Sequence, residues 1–331
     1  MSNYRIFGSE LSPYSVKVRS WFRYKGLPHE WLLRSAANQA EFQKYAKLPL
    51  VPLVVTPDDE GVQDSTPIIE RFEKIAPQPS IVPDDPALAF LSALIEEYAD
   101  EWGNKWMFSY RWSYPADCWS TAERIAQQMA GAQGPLAVAQ TRAAIAERMT
   151  GRLGFVGSND ATRPLIEASF KRVLEILDAH LAARPFLLGG RPAMADFGLW
   201  GQLYEAATDP TPGALMRARA PNVMSWVQRM ATPRAEGPFE AWSDLASGLM
   251  PLLKDEVAAL FLPWSLANAQ AIAGNAKSFD VTLAGKTWTQ EPQRYHARSL
   301  AEIRRKYVAA RVAPGLDDIL AKAGCLELLA S

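Results

Sequence analysis

Leu11-Ser12-Pro13-Tyr14-Ser15 stands between a short apolar run and an amphipathic segment that closes at Gly26. Tyr4, Ile6 and Phe7 read as a short buried strand ending at Gly8, so the five residues form the loop between a strand and a helix. Ser12 suits the helix N-cap, and Pro13 suits the first helical position because the N–H it lacks would have no intrahelical partner. Val16, Ser20 and Arg23 then share one face of the helix, Val18, Trp21, Phe22 and Lys25 another, and Gly26 supplies a left-handed stop. A helix N-terminus exposes unpaired N–H groups and a partial positive charge. An anion beside Ser12, such as a thiolate, is therefore stabilised there without a basic side chain. Taken alone, the same residues read better as a helix cap and nothing more.

Away from this loop the chain continues to alternate. Residues 29–33 read as a second strand and 39–47 as a short, poorly apolar helix or turn. Leu50-Val51-Pro52-Leu53-Val54-Val55 is a buried strand with proline near its start, where a missing donor is tolerated. Asp58 to Gly61 is a tight turn, Val62 and Gln63 a brief strand, and Asp64-Ser65-Thr66-Pro67 opens a helix carrying Ile68, Ile69, Phe72 and Ile75. Pro77, Pro79, Pro83 and Pro86 then break the chain. Beyond them Leu91, Leu94, Ile95, Tyr98 and Trp102 fall at helical spacing, as do Phe170, Val173, Leu174, Leu177 and Leu181, with no strand signal between. The fold class read from this pattern is a small α/β domain followed by an all-α domain.

The order of a polar nucleophile position at a helix start, then Val51-Pro52, then Asp64-Ser65, resembles the glutathione S-transferase family. Phe186-Leu187-Leu188-Gly189-Gly190-Arg191-Pro192-Ala193-Met194-Ala195-Asp196-Phe197 is similar to the loop and helix start of that family's helical domain. Pro221-Asn222, Trp226 and Arg229-Met230 resemble the run near its end. The resemblance implies a thioredoxin-like, glutathione-binding domain over residues 1–78 and an all-helical substrate domain over 86–237. It leaves 238–331 as a C-terminal extension. There, 244–262 reads as helix, Phe279 to Trp288 as a hairpin, 299–312 as a basic helix and 316–329 as a last amphipathic helix. Such an extension would cover the interdomain cleft or enlarge a dimer surface, and the sequence does not choose.

The resemblance also implies the chemistry. Ser12 holds the position whose hydroxyl bonds the glutathione sulfur in serine-type members; a free thiol pKa of about 8.5 leaves most of it protonated at neutral pH, so favouring the anion activates it. Ser12-Pro13-Tyr14-Ser15 looks like a Cys-Pro-Tyr-Cys pattern with both sulfurs replaced. Serine forms no mixed disulfide, which argues for conjugation or elimination over thiol reduction; a reductase would need Cys118 to reach the site. Pro52 corresponds to the family's cis-proline, turning the Val51 backbone toward the cysteinyl part of glutathione. Ser65 suits the γ-glutamyl carboxylate and Asp64 its ammonium. Pro49 and Leu50 stand where many members carry Lys or Gln, which puts glutathione affinity in question and leaves Lys47 as the substitute. Ala193 stands where a capping Ser or Thr is usual, so Asp196 must cap by other contacts.

The aromatic region from Trp102 to Trp119 points to a hydrophobic, aromatic electrophile, with Tyr14, Trp106, Tyr110 and Arg111 as pocket candidates; core packing must still account for most of these rings. Glutathione is the implied co-substrate and no metal is implied. A homodimer in the cytoplasm with a role in detoxification is the family expectation. A glutathione-dependent lyase, isomerase or dehalogenase is a close variant, and a binding or interaction protein without turnover is the alternative.

Composition agrees with an ordinary soluble globular protein. Across 331 residues, 48% hydrophobic and 21% charged content with a net charge of −1 gives no field that recruits nucleic acid or a membrane. Neither a leader nor a membrane-length apolar run is read. Cys118 and Cys325 are too isolated for a disulfide framework or zinc site. Among the histidines, His29 starts a strand, His180 lies near a helix end where a cation is favoured, and His296 sits in the unassigned tail; no pair suggests a triad or a metal.

Overall fold

In a computed structural model that describes residues 3–330, Tyr4–Gly8 (β1), Pro13–Tyr24 (α1) and His29–Leu33 (β2) form a unit in which β1 and β2 pair in parallel. Gln39–Tyr45 (α2), Leu53–Val55 (β3), Gly61–Gln63 (β4) and Ser65–Ile75 (α3) complete the first domain. The sheet order is β2-β1-β3-β4, with β3 antiparallel to both neighbours, the thioredoxin-like arrangement. Its two faces follow from the period of two along a strand. Ile6 and Val54 lie opposite each other and pack with Trp21, Phe22, Ile68 and Phe72. Phe7 and Leu53, the next pair, face the other way onto Phe42 of the otherwise poorly apolar α2.

The second domain is helical: Pro86–Tyr98 (α4), Asn104–Ser113 (α5), Pro115–Ala130 (α6), Pro135–Thr150 (α7), Arg163–Leu181 (α8), Met194–Thr208 (α9), Pro210–Arg219 (α10) and Pro221–Met230 (α11). A π-helical turn, Ala99–Gly103, joins α4 to α5. Asp196 caps as the absence of a Ser or Thr at 193 requires. Its carboxylate accepts from the backbone N–H of Ala193 and Leu187, each at 2.9 Å, and from Trp226 Nε1 at 3.0 Å. His180 differs from the expectation of a helix-end cation: it is buried, its Nε2 lies 2.8 Å from the Leu187 carbonyl, and burial lowers its pKa. The α1 start sits against α9, where a Cβ on Gly201 would come within 2.6 Å of the Pro13 carbonyl oxygen.

The extension contains Trp242–Leu252 (α12), a π-helical segment Leu253–Phe261, Leu262–Ala273 (α13), the hairpin Phe279–Leu283 (β5) and Lys286–Gln290 (β6), Arg294–Ala310 (α14), Leu316–Ala323 (α15) and Leu326–Ala330 (α16). Two sequence readings change here. The basic helix begins at Arg294, ahead of residue 299, and the last helix is two, because Gly324 takes a left-handed conformation (φ 78°) between them. The extension is sewn to the helical domain at Glu256, whose carboxylate accepts from Tyr98 Oη at 2.8 Å and Arg172 Nη1 at 2.7 Å. It is also tied to α3 by Lys306 and Glu70, 2.5 Å apart. No helix among the described residues is long and apolar enough to cross a membrane.

Burial raises the Glu256 carboxyl from 4.5 to about 7. A raised pKa means that the folded state keeps a proton the unfolded chain releases; the stability it contributes is complete below the unfolded value and is lost as pH rises through the folded one. Glu256→Gln is therefore expected to flatten the fall in unfolding midpoint between about pH 5 and about pH 7, as read by thermal denaturation. An unchanged slope would assign that pH dependence to other carboxyls.

Candidate functional site

The loop from β1 to α1 is held from three sides. Ser12 has extended backbone (φ −111°, ψ 114°), and its Oγ accepts from Ser15 N–H at 3.3 Å, leaving the hydroxyl proton free to be donated. The carbonyl of Leu11 accepts from Arg111 Nη1 at 3.0 Å, and Tyr14 Oη donates to the Asp100 carbonyl at 2.9 Å. Behind them Lys17, fully buried on α1, donates to Glu96, to Asp100 Oδ2 at 2.6 Å and to Thr66 Oγ1 at 3.2 Å, which locks α1, α3 and α4 together. Burial would neutralise this lysine, but its two carboxylates more than offset that and hold its pKa above the usual value.

Two adjoining chambers open beside this loop. The first, about 340 Å³, is lined by Val51, Pro52, Asp64 and Ser65 from the first domain, Glu101 and Asn104 from the second, and Gln293, Tyr295 and His296 from the extension. The Val51–Pro52 bond is cis, and Ser65 is buried at the first turn of α3. The second, about 450 Å³, is lined by Ser12 with an apolar wall that includes Met107, Phe108, Trp112, Ile125 and Met129. Tyr14, Val51 and Asn104 border both. A ligand reaching from Ser65 past Val51 thus enters the apolar chamber beside Ser12.

The structure brings Ser12, Tyr14, Val51, Pro52, Asp64 and Ser65 together around these chambers and leaves other candidates outside. Trp106 is buried with Nε1 on Ser169 Oγ at 2.9 Å, and buried Tyr110 stacks on Tyr114; neither borders the chambers. Phe108 and Trp112 are the aromatic wall instead. Arg111 touches the apolar chamber, but its guanidinium is taken up by Asp209 at 2.6 Å, Glu205 at 2.8 Å and the Leu11 carbonyl, so it has no free donor fork for a substrate acid. Lys47 is exposed and outside the first chamber, its backbone N–H donating to Gln63 Oε1 at 2.7 Å. No Lys or Arg is among the described residues lining that chamber, whose carboxylates are Asp64 and Glu101.

The contributions of Glu101, Asn104, Gln293, Tyr295 and His296 were not foreseen. Tyr295 Oη donates to Asp64 Oδ2 at 2.9 Å across 231 residues of chain, and burial keeps its phenol protonated by raising its pKa. His296 Nδ1 is hydrogen-bonded to Glu101 Oε2. The extension therefore covers the cleft, one of the two placements open to it in the sequence. No group of three or more potential metal ligands is found among the described residues.

Residues 6–80 match the family described as glutathione S-transferase, N-terminal domain, and residues 142–229 match glutathione S-transferase, C-terminal domain. The chain belongs to the glutathione S-transferase family. Similar solved structures include a glutathione S-transferase from Methylobacterium radiotolerans in complex with glutathione sulfonate, 20% identical, covering 72% of this chain and 99% of the other with a TM-score of 0.41. A glutathione S-transferase from Rhodospirillum rubrum F11 is 16% identical over 89% of this chain and 99% of the other, TM-score 0.45. The β-etherase LigF from Sphingobium sp. strain SYK-6 is 17% identical over 70% and 97%, TM-score 0.47. No curated protein matches the sequence at a significant level. As a glutathione S-transferase family member, the chain departs from the expected pattern in the uncharged Pro49 and Leu50 and in the extension over the first chamber.

Proposed function

We propose that the protein binds glutathione along the line from Ser65 past Val51 to Ser12 and presents its sulfur as a thiolate to an apolar electrophile. The observation that carries this is the pairing of chambers. Ser12, at the positive end of α1, borders one with an apolar wall, while Val51, cis-Pro52 and Ser65 border the chamber next to it. In this reading residues 1–78 bind glutathione, 86–237 supply the electrophile wall, and the extension closes the glutathione chamber through α14. A sulfur–carbon bond forms and the leaving group departs with its electron pair. Whether the overall outcome is conjugation or elimination follows from the electrophile held against Phe108 and Trp112.

A second reading, glutathione binding without turnover, is favoured by one observation: no cationic side chain among the described residues lines the glutathione chamber. Calorimetric titration with reduced glutathione tests both. Binding is expected in the wild type, and Ser65→Ala is expected to weaken it about tenfold, the worth of one hydrogen bond to a carboxylate. No heat at millimolar glutathione would overturn the proposal. Binding without consumption of any electrophile in a panel of aryl halides and aryl ethers would favour the second reading.

A further inference from the structure

We propose that Arg34 is the carboxylate-binding residue of the chamber beside Ser12, so that the electrophile this protein takes is an aromatic compound carrying an acid group. The inference rests on the glutathione reading above and names the substrate class of its second chamber. Two charged side chains, Arg34 and Arg111, are among the described residues lining that chamber, and no carboxylate is. Arg111 is ion-paired with Asp209 and Glu205. Arg34 has no such pair: the partners of its guanidinium among the described residues are uncharged oxygens.

The sheet brings Arg34 to the chamber. Strands β1 and β2 run parallel, so their ends at Gly8 and Leu33 lie at the same edge. One residue on, Arg34 N–H donates to the Gly8 carbonyl at 3.0 Å, which sets it beside the start of the loop that carries Ser12. Its own carbonyl accepts from Gln128 Nε2 of α6 at 3.4 Å, and Gln128 lines the chamber with it.

The guanidinium is positioned without being used up. Nη1 donates to the carbonyl of Pro49 at 2.7 Å, two residues before Val51, which also borders the chamber. The group lies over the Phe42 ring at 4.3 Å, and Nη2 meets Gln39 Oε1 at only 3.5 Å. A guanidinium has more N–H donors than these contacts occupy, and they form a rigid fork that fits a carboxylate. Arg34 is half-buried, so its charge is felt more strongly in the chamber than that of a fully solvated side chain.

An uncharged aromatic ligand takes the wall of Met107, Phe108 and Trp112 but leaves Arg34 without a counter-ion; an aromatic acid uses both. Two ligands supply a carboxylate here, the electrophile and the glycyl end of glutathione. Arg34 lines the chamber with the aromatic wall and not the one bordered by Ser65, which favours the electrophile. With an aryl chloride, the thiolate sulfur bonds the ring carbon, the carbon–chlorine bond breaks, and chloride leaves with its electron pair. The acid group takes no part in that exchange, so Arg34 acts on binding and selectivity.

The test compares an acid with its methyl ester on the full-length chain. Dinitrobenzoate and methyl dinitrobenzoate, which carry no halide, are titrated calorimetrically without glutathione; a chlorodinitrobenzoate and its methyl ester are then turned over with glutathione. The wild type is expected to bind the acid about tenfold more tightly than the ester, with a lower KM for the chlorinated acid. Arg34→Gln is expected to abolish the preference and Arg34→Lys to keep part of it, with the glutathione Kd changed less than about threefold in each. Acid and ester are read on the same preparation, so a loss of folded protein cancels in their ratio. If the wild type does not prefer the acid, or Arg34→Gln keeps the preference, the proposal is overturned. It also falls if Arg34→Gln weakens glutathione about tenfold and leaves the ratio unchanged, because Arg34 then serves the glycyl carboxylate. An acid preference that Arg34→Gln abolishes, in a protein that does not bind glutathione, would uphold the Arg34 site and remove the glutathione reading.

Discussion

Replacing Ser12 with alanine is expected to lower kcat/KM about 100-fold, equivalent to about 2.7 kcal/mol of transition-state stabilisation, while costing only about 1 kcal/mol of folding stability. The two effects have separate physical origins. As the N-cap of α1, Ser12 accepts from Ser15 N–H at 3.3 Å, and losing that contact frees one helix-end donor. As the hydroxyl bordering the apolar chamber, it still has a proton to donate to sulfur, and that bond is strongest when sulfur carries charge. Ser12→Asn separates them. Asparagine caps a helix as well as serine, so stability should return, but its bulk and altered donor position should leave turnover low. Steady-state kinetics with glutathione and a reactive aryl halide, beside thermal melts of each variant, check both. Turnover in Ser12→Ala equal to wild type would reduce Ser12 to a cap.

Arg111→Met should destabilise the protein by about 3–5 kcal/mol and lower its unfolding midpoint by on the order of 10 °C. Arg111 is 2% exposed, and its guanidinium joins Glu205 of α9, Asp209 at the start of α10 and the Leu11 carbonyl in the loop that carries Ser12. Methionine fills most of the space but leaves two carboxylates without their buried cation, which costs more than the pair itself contributes. Burial already raises the Glu205 carboxyl to about 7, against the opposing pull of Arg111. Without that pull it rises further and protonates, so the damage is expected to be smaller at acid pH than at alkaline pH. Freeing the Leu11 carbonyl should also loosen the Ser12 loop, so turnover should fall together with stability. A midpoint within about 2 °C of wild type would show that the cluster contributes little to stability.

The family, the order of its motifs and the first domain's elements were readable from local patterns, because each rests on a short-range cause. A proline at a strand start, a serine before an N1 proline and a glycine at a helix stop act within a few residues. Trp106 and Tyr110 illustrate the limit. Their spacing places them on a helix, but whether a ring meets a chamber or the core depends on the rotation of α5 against α8; Trp106 turns to Ser169 and Phe170, and Tyr110 to Phe170. Arg111 was legible as a charged residue near the site; its partners, 94 and 98 residues away, were not.

The sequence by itself determined the glutathione S-transferase scaffold, the helix starts at Ser12 and Ser65, and the proline that sets Val51, since these follow from backbone chemistry within single elements. Only the tertiary structure decided that Lys47 stands outside the chamber bordered by Val51, Pro52 and Ser65, that Phe108 and Trp112 form the aromatic wall, and that Tyr295 and His296 meet Asp64 and Glu101. Those meetings join side chains separated by 231 and 195 residues, and no periodicity or spacing along the chain encodes them. They arise because burial of Leu300, Ile303 and Tyr307 of α14 against α4 and α13 places the first turn of α14 over the cleft.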